Sequence, residues 1–521
     1  MRKEHFLIGV DIGTSGAKCI LMDTEGNVAA SAAKEYPLYT PKPGWAEQHP
    51  LDWWEAVKAG LREILHASKV PGNSLAGVSF SGQMHGLVAL DKERQVIRPA
   101  FLWCDQRSQP QCDWLKSKAG GLSGLLKYTN NDMLSGYTGG KLLWLRKEEP
   151  ENFFRMRVFL CPKDYIRMRI CGEIAMDVSE ASGTGFFDTK HRAWSGELIH
   201  IAGLPMDIFP PCYESTALAG HVTAAAAGET GLPEGLPVFM GGGDAVIQSG
   251  GSGLTSPGVM GVVIGTAGNV SMGLDKFYDN PGGKLQMFCN NEPGRYHAFG
   301  CNLTAGGAYR WYRDALCEQD TAQALKTGRN VYELMGARAE ASPPGANGVI
   351  FVPYLAGERC PYPDPNARGM FYGLALGTTR GDITRAVLEG VTYAFRQVAD
   401  ILASFMPADR VIVSGGGSAS PLWRQIIADV LDLPVYTLSA SGEGGALGAA
   451  MVAGVGAGLW ASLEEAASFL RVETETLPVL QNQAAYRDGF ALYAMMYGAM
   501  KPIFDKGAAM GSVRIAGEGD F

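Results

Sequence analysis

One local pattern occurs twice in this chain, and it limits the fold more than any other feature. Residues 8–21 read IGVDIGTSGAKCIL, and residues 258–273 read GVMGVVIGTAGNVSMG. Each sets two short apolar runs around a Gly-Thr-x-Gly turn. Two glycines in four residues between apolar runs mark a hairpin-like turn. The internal repeat is faint, but it predicts two related units. The length agrees, since 521 residues exceed what one ordinary hydrophobic core organises.

Around these turns strands and helices alternate. PLDWWEAVKAGLREIL places Leu51, Trp54, Val57, Leu61, Ile64 and Leu65 at helical spacing. LAGVSFSGQ and LVALD follow as strands, so the first unit reads as an α/β layer with a mixed sheet. In the second half, residues 382–402 carry one apolar stripe of Ile383, Ala386, Val387, Val391, Ala394, Phe395, Val398 and Leu402, which predicts a helix. RVIVSGGGS then reads as a buried strand entering a glycine loop. Ser420 and Pro421 stand where a helix N-cap and first turn belong. The glycine-rich stretch 246–256 separates the units, giving domains at 1–250 and 251–475, with a helical extension and fraying tail at 476–521.

Several classes are excluded. A formal charge of −8 argues against a nucleic-acid surface, which needs a basic face. Ten cysteines are scattered singly, with no CxxC pair and no zinc spacing, so free thiols in a reducing cytoplasm are expected. The run FLIGVDIG is too short for a signal-peptide core. Gly444–Ser462 carries no charge and is long enough to raise the transmembrane question. Its glycines and alanines predict a tightly packed buried helix instead, and no membrane partner.

The turns also carry chemistry. In the first, Gly13 and its companion Gly16 let backbone N–H groups approach an anion; Thr14 and Ser15 add hydroxyls and Lys18 a compact positive charge. Asp11, at the end of a strand, can hold Mg²⁺ directly or through water. These residues also fit an ordinary hairpin with a strand-terminal aspartate. The second copy, Gly265, Thr266 and Gly268, favours phosphate, since one loop from each unit can clamp a triphosphate. A third glycine loop, containing Gly416 and Gly417, offers a flat surface for a base or ribose, or is a tight strand-to-helix turn. None of the three matches GxxxxGKS or GxGxxG. Asp244, ending FMGGGD, is either a turn former or a rigidly placed proton acceptor. Gln83, Met84 and His85 follow a strand, while Trp103 and Asp105 offer an aromatic face and a carboxylate; both sets suit a sugar, and both also suit a core.

In order and spacing, these pieces resemble the FGGY carbohydrate kinases from about residue 5 to residue 455. GYTGGKLLWL (136–145) and the stretch from Gly369 to Glu389 look like that family's descriptive patterns. GWAEQHP, SGQMHG, LWCDQR, CPKDYIRMRICGE and YLAGERCPYPDP look most like its xylulose kinases. The resemblance implies two ribonuclease-H-like domains of the actin-like ATPase fold, with a cleft between them that closes on substrate. It implies ATP-dependent phosphorylation of a ketose, D-xylulose to D-xylulose 5-phosphate, with ATP and Mg²⁺. Asp244 would be the general base, and Met84 and His85 would contact the sugar. Asp11 would organise Mg²⁺, the 265–268 loop would hold phosphate, and Gly416 and Gly417 would meet adenosine. Homodimers are common among such enzymes.

Two departures bear on the substrate. Ala245 stands where xylulose kinases typically carry asparagine, and the second loop reads GTAG where GTSG is usual. Ala245 keeps another pentulose, a hexulose or a sugar alcohol in play. An actin-like ATPase that binds sugar without phosphorylating it is the rival from another class, opposed by SGQMHG together with Asp244. A hydrolase using Asp244 and Asp105 as paired carboxylates leaves the glycine loops without a task.

Overall fold

A computed structural model of the chain describes residues 5–439 and 444–510. The strands that matter here are β1 (Phe6–Ile12), β2 (Gly16–Asp23), β3 (Val28–Glu35), β4 (Leu75–Gly82), β5 (Leu218–His221), β6 (Pro237–Phe239), β7 (Val259–Ile264), β8 (Gly268–Leu274), β9 (Tyr296–Asn302), β10 (Arg410–Ser414), β11 (Val435–Leu438) and β12 (Val472–Thr476). The helices are α1 (Pro50–Ser68), α2 (Thr138–Glu148), α3 (Pro162–Cys171), α4 (Val178–Ser182), α5 (Asp244–Gly251), α6 (Gly306–Leu316), α7 (Arg380–Ala403), α8 (Pro421–Leu431), α9 (Gly444–Gly456) and α10 (Gln483–Ala509).

The repeat seen in the sequence is a repeat of topology. The first sheet runs β5-β6-β4-β1-β2-β3, and the second contains the order β12-β11-β10-β7-β8-β9. In each, the Gly-Thr turn closes an antiparallel hairpin, Ile12 opposite Ala17 and Ile264 opposite Gly268. The first hairpin strand then pairs in parallel with a later strand, β1 with β4 and β7 with β10. The outermost strand on that side is antiparallel in both cases. This is the duplicated mixed α/β core that the sequence implies.

The chain forms two compact units with boundaries that differ from the expected single break. One gathers residues 5–257, 273–297 and 444–471; the other gathers 258–272, 298–439 and 472–510. The reason lies in α9. Its glycines and alanines let it lie almost on the backbone of the first sheet, where a Cβ on Gly9 would meet the Ala446 carbonyl oxygen at 1.9 Å. Ala446, Leu447, Ala450 and Val452 share a core with Leu7, Ile20, Met22 and Phe239. The uncharged stretch is therefore a buried helix, as its composition predicts. No helix among the described residues is long and apolar enough to cross a membrane.

The extension after 475 belongs to the second unit rather than standing apart. Arg385 of α7 donates to the Tyr486 hydroxyl of α10 at 2.6 Å, and Tyr393 packs on Tyr493. The tail beyond residue 510 lies outside the described residues. In α1 the buried face includes Trp53, Trp54, Val57, Leu61 and Ile64, while Leu51 is exposed. The apolar stripe therefore turns one residue away from the expected one at its start, because Trp53 Nε1 finds a buried acceptor in Gln48 Oε1. In α7 the expected stripe is buried apart from the half-buried Ile383. Thr379 and Asp382 close its N-terminus as a reciprocal capping box. Ser420 caps α8 with Pro421 in its first turn, as expected.

Candidate active site

Strand register brings the carboxylates together. Asp11 lies beside Ser81 in the parallel β1–β4 ladder. Gly242 and Gly243 extend the same sheet, pairing in parallel with Ser81 and Gly82. Asp244, the first residue of α5, thus emerges at the same end of β4 that leads into Gln83, Met84 and His85. Both aspartates are partly buried. Burial first and the Asp11 charge second push the Asp244 carboxyl up to about 7, against the pull of the Ala245 and Met84 N–H groups. Burial also raises Asp11, against the pull of Ser81 and Lys18. Asp11 Oδ1 has no hydrogen-bond partner within the chain. The carboxylate is admitted by Gly445 of α9, where a Cβ would stand 2.7 Å from Asp11 Cγ.

The turn after β1 is closed by Gly13 N–H donating to Gly16 O at 3.0 Å. Buried polar groups brace it from below. Tyr36 OH and Gln83 Nε2 donate to Gly13 O at 2.5 and 3.2 Å. Gln48 Nε2 donates to Thr14 O at 2.7 Å, and Gln83 Nε2 joins the two glutamines through Gln48 Oε1 at 2.9 Å. The half-exposed indole of Trp103 donates to Thr14 Oγ1 at 2.9 Å. Lys18 faces Asp11 directly across the β1–β2 ladder.

The expected sugar-contact residues divide by environment. Met84 is buried, and His85 holds a left-handed backbone at φ 70°. His85 Nδ1 lies 2.7 Å from Gly183 O. Trp103 remains 44 % exposed. Gln83 is buried, its amide donating to Gly13 O in the turn and to Gln48 Oε1. Asp105 is fully buried and departs from the expected sugar-facing carboxylate. Its oxygens accept from Ala46 N–H at 2.7 Å, from Arg107 N–H at 3.0 Å and from the Arg107 guanidinium at 2.6–3.0 Å. That pairing leaves the carboxylate tied to a cation two residues away, which also stacks on Trp45 at 3.5 Å.

In the second unit the Gly265–Ala267 turn is exposed. The N-terminus of α6 grips it by its carbonyls: Gly306 N–H donates to Gly265 O at 2.9 Å, and Ala305 and Gly307 N–H donate to Thr266 O at 2.9 and 3.0 Å. Gly268 begins β8 and is buried. Gly416 opens a short 3₁₀ turn after β10 and has open space where a side chain would stand, whereas Gly417 packs against Ile264 and Trp423.

Several supporting residues were not legible as functional. Gln48 lies in GWAEQHP, a stretch whose sequence signal is the resemblance alone. Ser179 Oγ accepts from Gly243 N–H at 3.0 Å, immediately before Asp244. Glu180 Oε1 accepts from His85 N–H at 3.0 Å, and Lys141 Nζ donates to His85 O at 2.7 Å. Their partners lie far away in sequence, and no local pattern reports them.

Comparison with known proteins agrees with this arrangement. Residues 6–250 match the N-terminal domain of the FGGY family of carbohydrate kinases, and residues 261–457 match its C-terminal domain. The xylulose kinase of Bacillus subtilis is 36% identical over 500 residues, covering 96% of this chain and 98% of that one. That of Staphylococcus epidermidis is 34% identical over 512 residues, with 96% and 98% covered. The crystal structure of xylulose kinase from Rhodospirillum rubrum aligns at 30% identity with a TM-score of 0.89, over 96% of this chain and 100% of that one. With both family domains matched and the actin-like ATPase fold of such kinases present, this chain belongs to the FGGY family of carbohydrate kinases.

Proposed function

We propose that the chain transfers the γ-phosphoryl group of ATP to a hydroxyl of D-xylulose, giving D-xylulose 5-phosphate and ADP. The observation that carries this reading is the Asp244 carboxyl. It stands against the Met84 backbone N–H, with burial and Asp11 holding it at about 7. A base poised near the working pH suits the late transfer of a hydroxyl proton. The sugar oxygen bonds to the γ-phosphorus as the bond to the bridging oxygen of ADP breaks, and the hydroxyl proton passes to Asp244.

The rest is alignment and charge. Thr14 and the braced turn around Gly13, with Lys18, face phosphate on the sugar-bearing unit. The Gly265–Gly268 turn does so on the other unit, where Gly416 and Gly417 offer a surface to adenosine. The orphaned, buried Asp11 Oδ1 fits a hydrated Mg²⁺. Asp11 would hold that ion through water, and when bound it neutralises charge on the phosphates. His85 and Met84 would orient the ketose. Trp103, tied to Thr14, offers its exposed face to the same ligand. Ten free thiols suit a cytoplasmic enzyme, and a homodimer is the expected assembly, read by light scattering.

The test is ADP release with Mg²⁺ across ketoses, aldoses and polyols. D-Xylulose should give the highest kcat/KM. Ala245, in the first turn of α5 beside the base, favours a second reading in which another ketose or polyol outperforms it. The Ala245→Asn variant should then shift preference toward D-xylulose. Failure of every sugar to stimulate turnover overturns both readings.

A further inference from the structure

Two adjacent side chains of the short helix α4 reach the two halves of the sugar site. Ser179 Oγ accepts from the Gly243 N–H at 3.0 Å, one residue before Asp244. Glu180 Oε1 accepts from the His85 N–H at 3.0 Å. The left-handed His85 needs external support, because such a backbone is unfavourable for a residue with a side chain. Lys141 supplies the opposite hold, donating to His85 O and Gly136 O at 2.7 and 2.5 Å.

Helix α4 is itself fixed. Asp177 Oδ2 accepts from Ser179 N–H at 2.8 Å, Ser179 Oγ at 2.5 Å and Ser215 Oγ at 2.9 Å. Asn291 Nδ2 donates to both Ser179 Oγ and Ser215 Oγ, at 3.2 and 3.0 Å. Asp177 Oδ1 meets the buried Lys163 ammonium at 2.7 Å, and Lys163 also meets Asp164 Oδ1 at 2.6 Å. All of these residues are buried. Ser179 and Ser215 are held from several sides, which resists their displacement, while the buried Glu180 Oε2 and Asp164 Oδ2 have no hydrogen-bond partner.

We propose that Ser179 and Glu180 are positioning residues that set the base and the sugar-contact backbone at one fixed separation, an inference that rests on Asp244 being the base. Ser179 acts through Gly243 on the direction of the Asp244 carboxyl. Glu180 acts through the His85 backbone on where the sugar lies. Because the two residues are neighbours on one helical turn, the two adjustments are locked together. Misplacement of reacting groups by about 1 Å can cost on the order of a hundredfold in rate, so modest losses of these bonds should be visible in kinetics.

The test is steady-state kinetics on Ser179→Ala, Glu180→Ala, Glu180→Gln and Asp244→Asn, each with its Tm and its ATP affinity. Ser179→Ala should lower kcat roughly tenfold with the sugar KM nearly unchanged. Glu180→Ala should raise the sugar KM roughly tenfold with a smaller effect on kcat. Glu180→Gln keeps an acceptor for the His85 N–H and should restore the sugar KM. A purely structural role would lower Tm and move both parameters together in every variant, and that outcome overturns the proposal. If Glu180→Ala does not fold, Glu180→Gln carries the test, and a tenfold higher KM in it overturns the proposal. Wild-type kcat in Ser179→Ala with Asp244→Asn inactive defeats the positioning role alone. Ordinary turnover in Asp244→Asn defeats the base assignment beneath it.

Discussion

Asp11 and Lys18 stand directly opposite each other across the β1–β2 ladder, one carboxylate and one ammonium at the mouth of the Gly-Thr turn. The pairing follows from the hairpin alone, because a turn from Gly13 to Gly16 sets residue 11 against residue 18. Lys18 pulls the Asp11 carboxyl down against the rise that burial causes. Lys18→Met should therefore leave Asp11 harder to ionise and remove the charge proposed to face the phosphates. We expect kcat/KM for ATP to fall roughly a hundredfold, while sugar affinity measured by calorimetry changes little. A fall in sugar affinity of the same size would instead place Lys18 among the sugar contacts.

The pH profile tests the coupling of the two aspartates. As the proposed base, Asp244 must be ionised to accept a proton, so kcat/KM should rise with pH through an apparent value near 7, the value of the free enzyme. Burial is the larger cause of that value and the Asp11 charge the next. Asp11→Asn removes the second cause only. Its acid limb should move to lower pH and stop short of an ordinary aspartate, even as the rate falls. An unmoved limb would show that Asp244 does not sense Asp11.

The same raised value makes a stability prediction. Below the unfolded pKa near 4, Asp244 is protonated in both states and makes no difference. As pH rises toward 7 the unfolded chain ionises first, so stability is lost across that window and stays lost above it. Asp244→Asn removes the penalty. It should raise Tm by roughly 3 °C at pH 8, corresponding to about 2 kcal/mol after allowance for partial exposure. The gain should vanish by pH 4. A lower Tm at pH 8 would mean that the carboxylate is held by contacts stronger than its burial.

How much of this was readable beforehand depends on sequence distance. The two Gly-Thr hairpins, the Ser420 cap and the buried glycine-alanine helix all rest on neighbouring residues, and all stand as expected. Asp105 shows where local reading stops. A carboxylate near a tryptophan suggests a sugar site, yet Arg107 two residues on captures it. Gln83 likewise points back into the loop that Gln48 and Tyr36 brace. The interleaving of the two compact units was not legible, because α9 joins a sheet whose strands lie hundreds of residues earlier. Ser179 and Glu180 were invisible for the same reason. Their partners, Gly243 and His85, are 64 and 95 residues away.

Lys163, which holds α4 through Asp177, offers a test read by Tm rather than by turnover. It is fully buried between Asp164 and Asp177, with Arg167 Nη2 at 3.7 Å from Asp164. Lys163→Met leaves two buried carboxylates facing, of those two cations, the Arg167 guanidinium alone. Breaking a buried pair in this way costs about 3–5 kcal/mol, so a clear fall in Tm is expected at neutral pH. The loss should shrink as pH falls, because the orphaned carboxyls can then take up protons. Lys163→Met combined with Asp177→Asn should recover part of it, since one uncompensated charge goes too. A Tm unchanged from wild type would show that the network contributes no net stability.

Gly445 separates a steric demand of the site from a demand of the fold. A Cβ there would stand 2.7 Å from Asp11 Cγ, and the other atoms it would crowd are the same carboxylate's oxygens. Alanine also favours a helix over glycine by about 1 kcal/mol, so Gly445→Ala should fold with a Tm close to wild type. What must yield is the Asp11 side chain. We expect kcat to fall roughly a hundredfold, with ATP and sugar still bound, and a higher Mg²⁺ concentration required for half-maximal rate. Gly448→Ala is the control, because its Cβ would meet the Ile247 carbonyl at 2.1 Å, a backbone atom with no room to move. That variant should lose stability rather than rate. Full activity in Gly445→Ala would show that Asp11 can be displaced without consequence, and would remove it from the site.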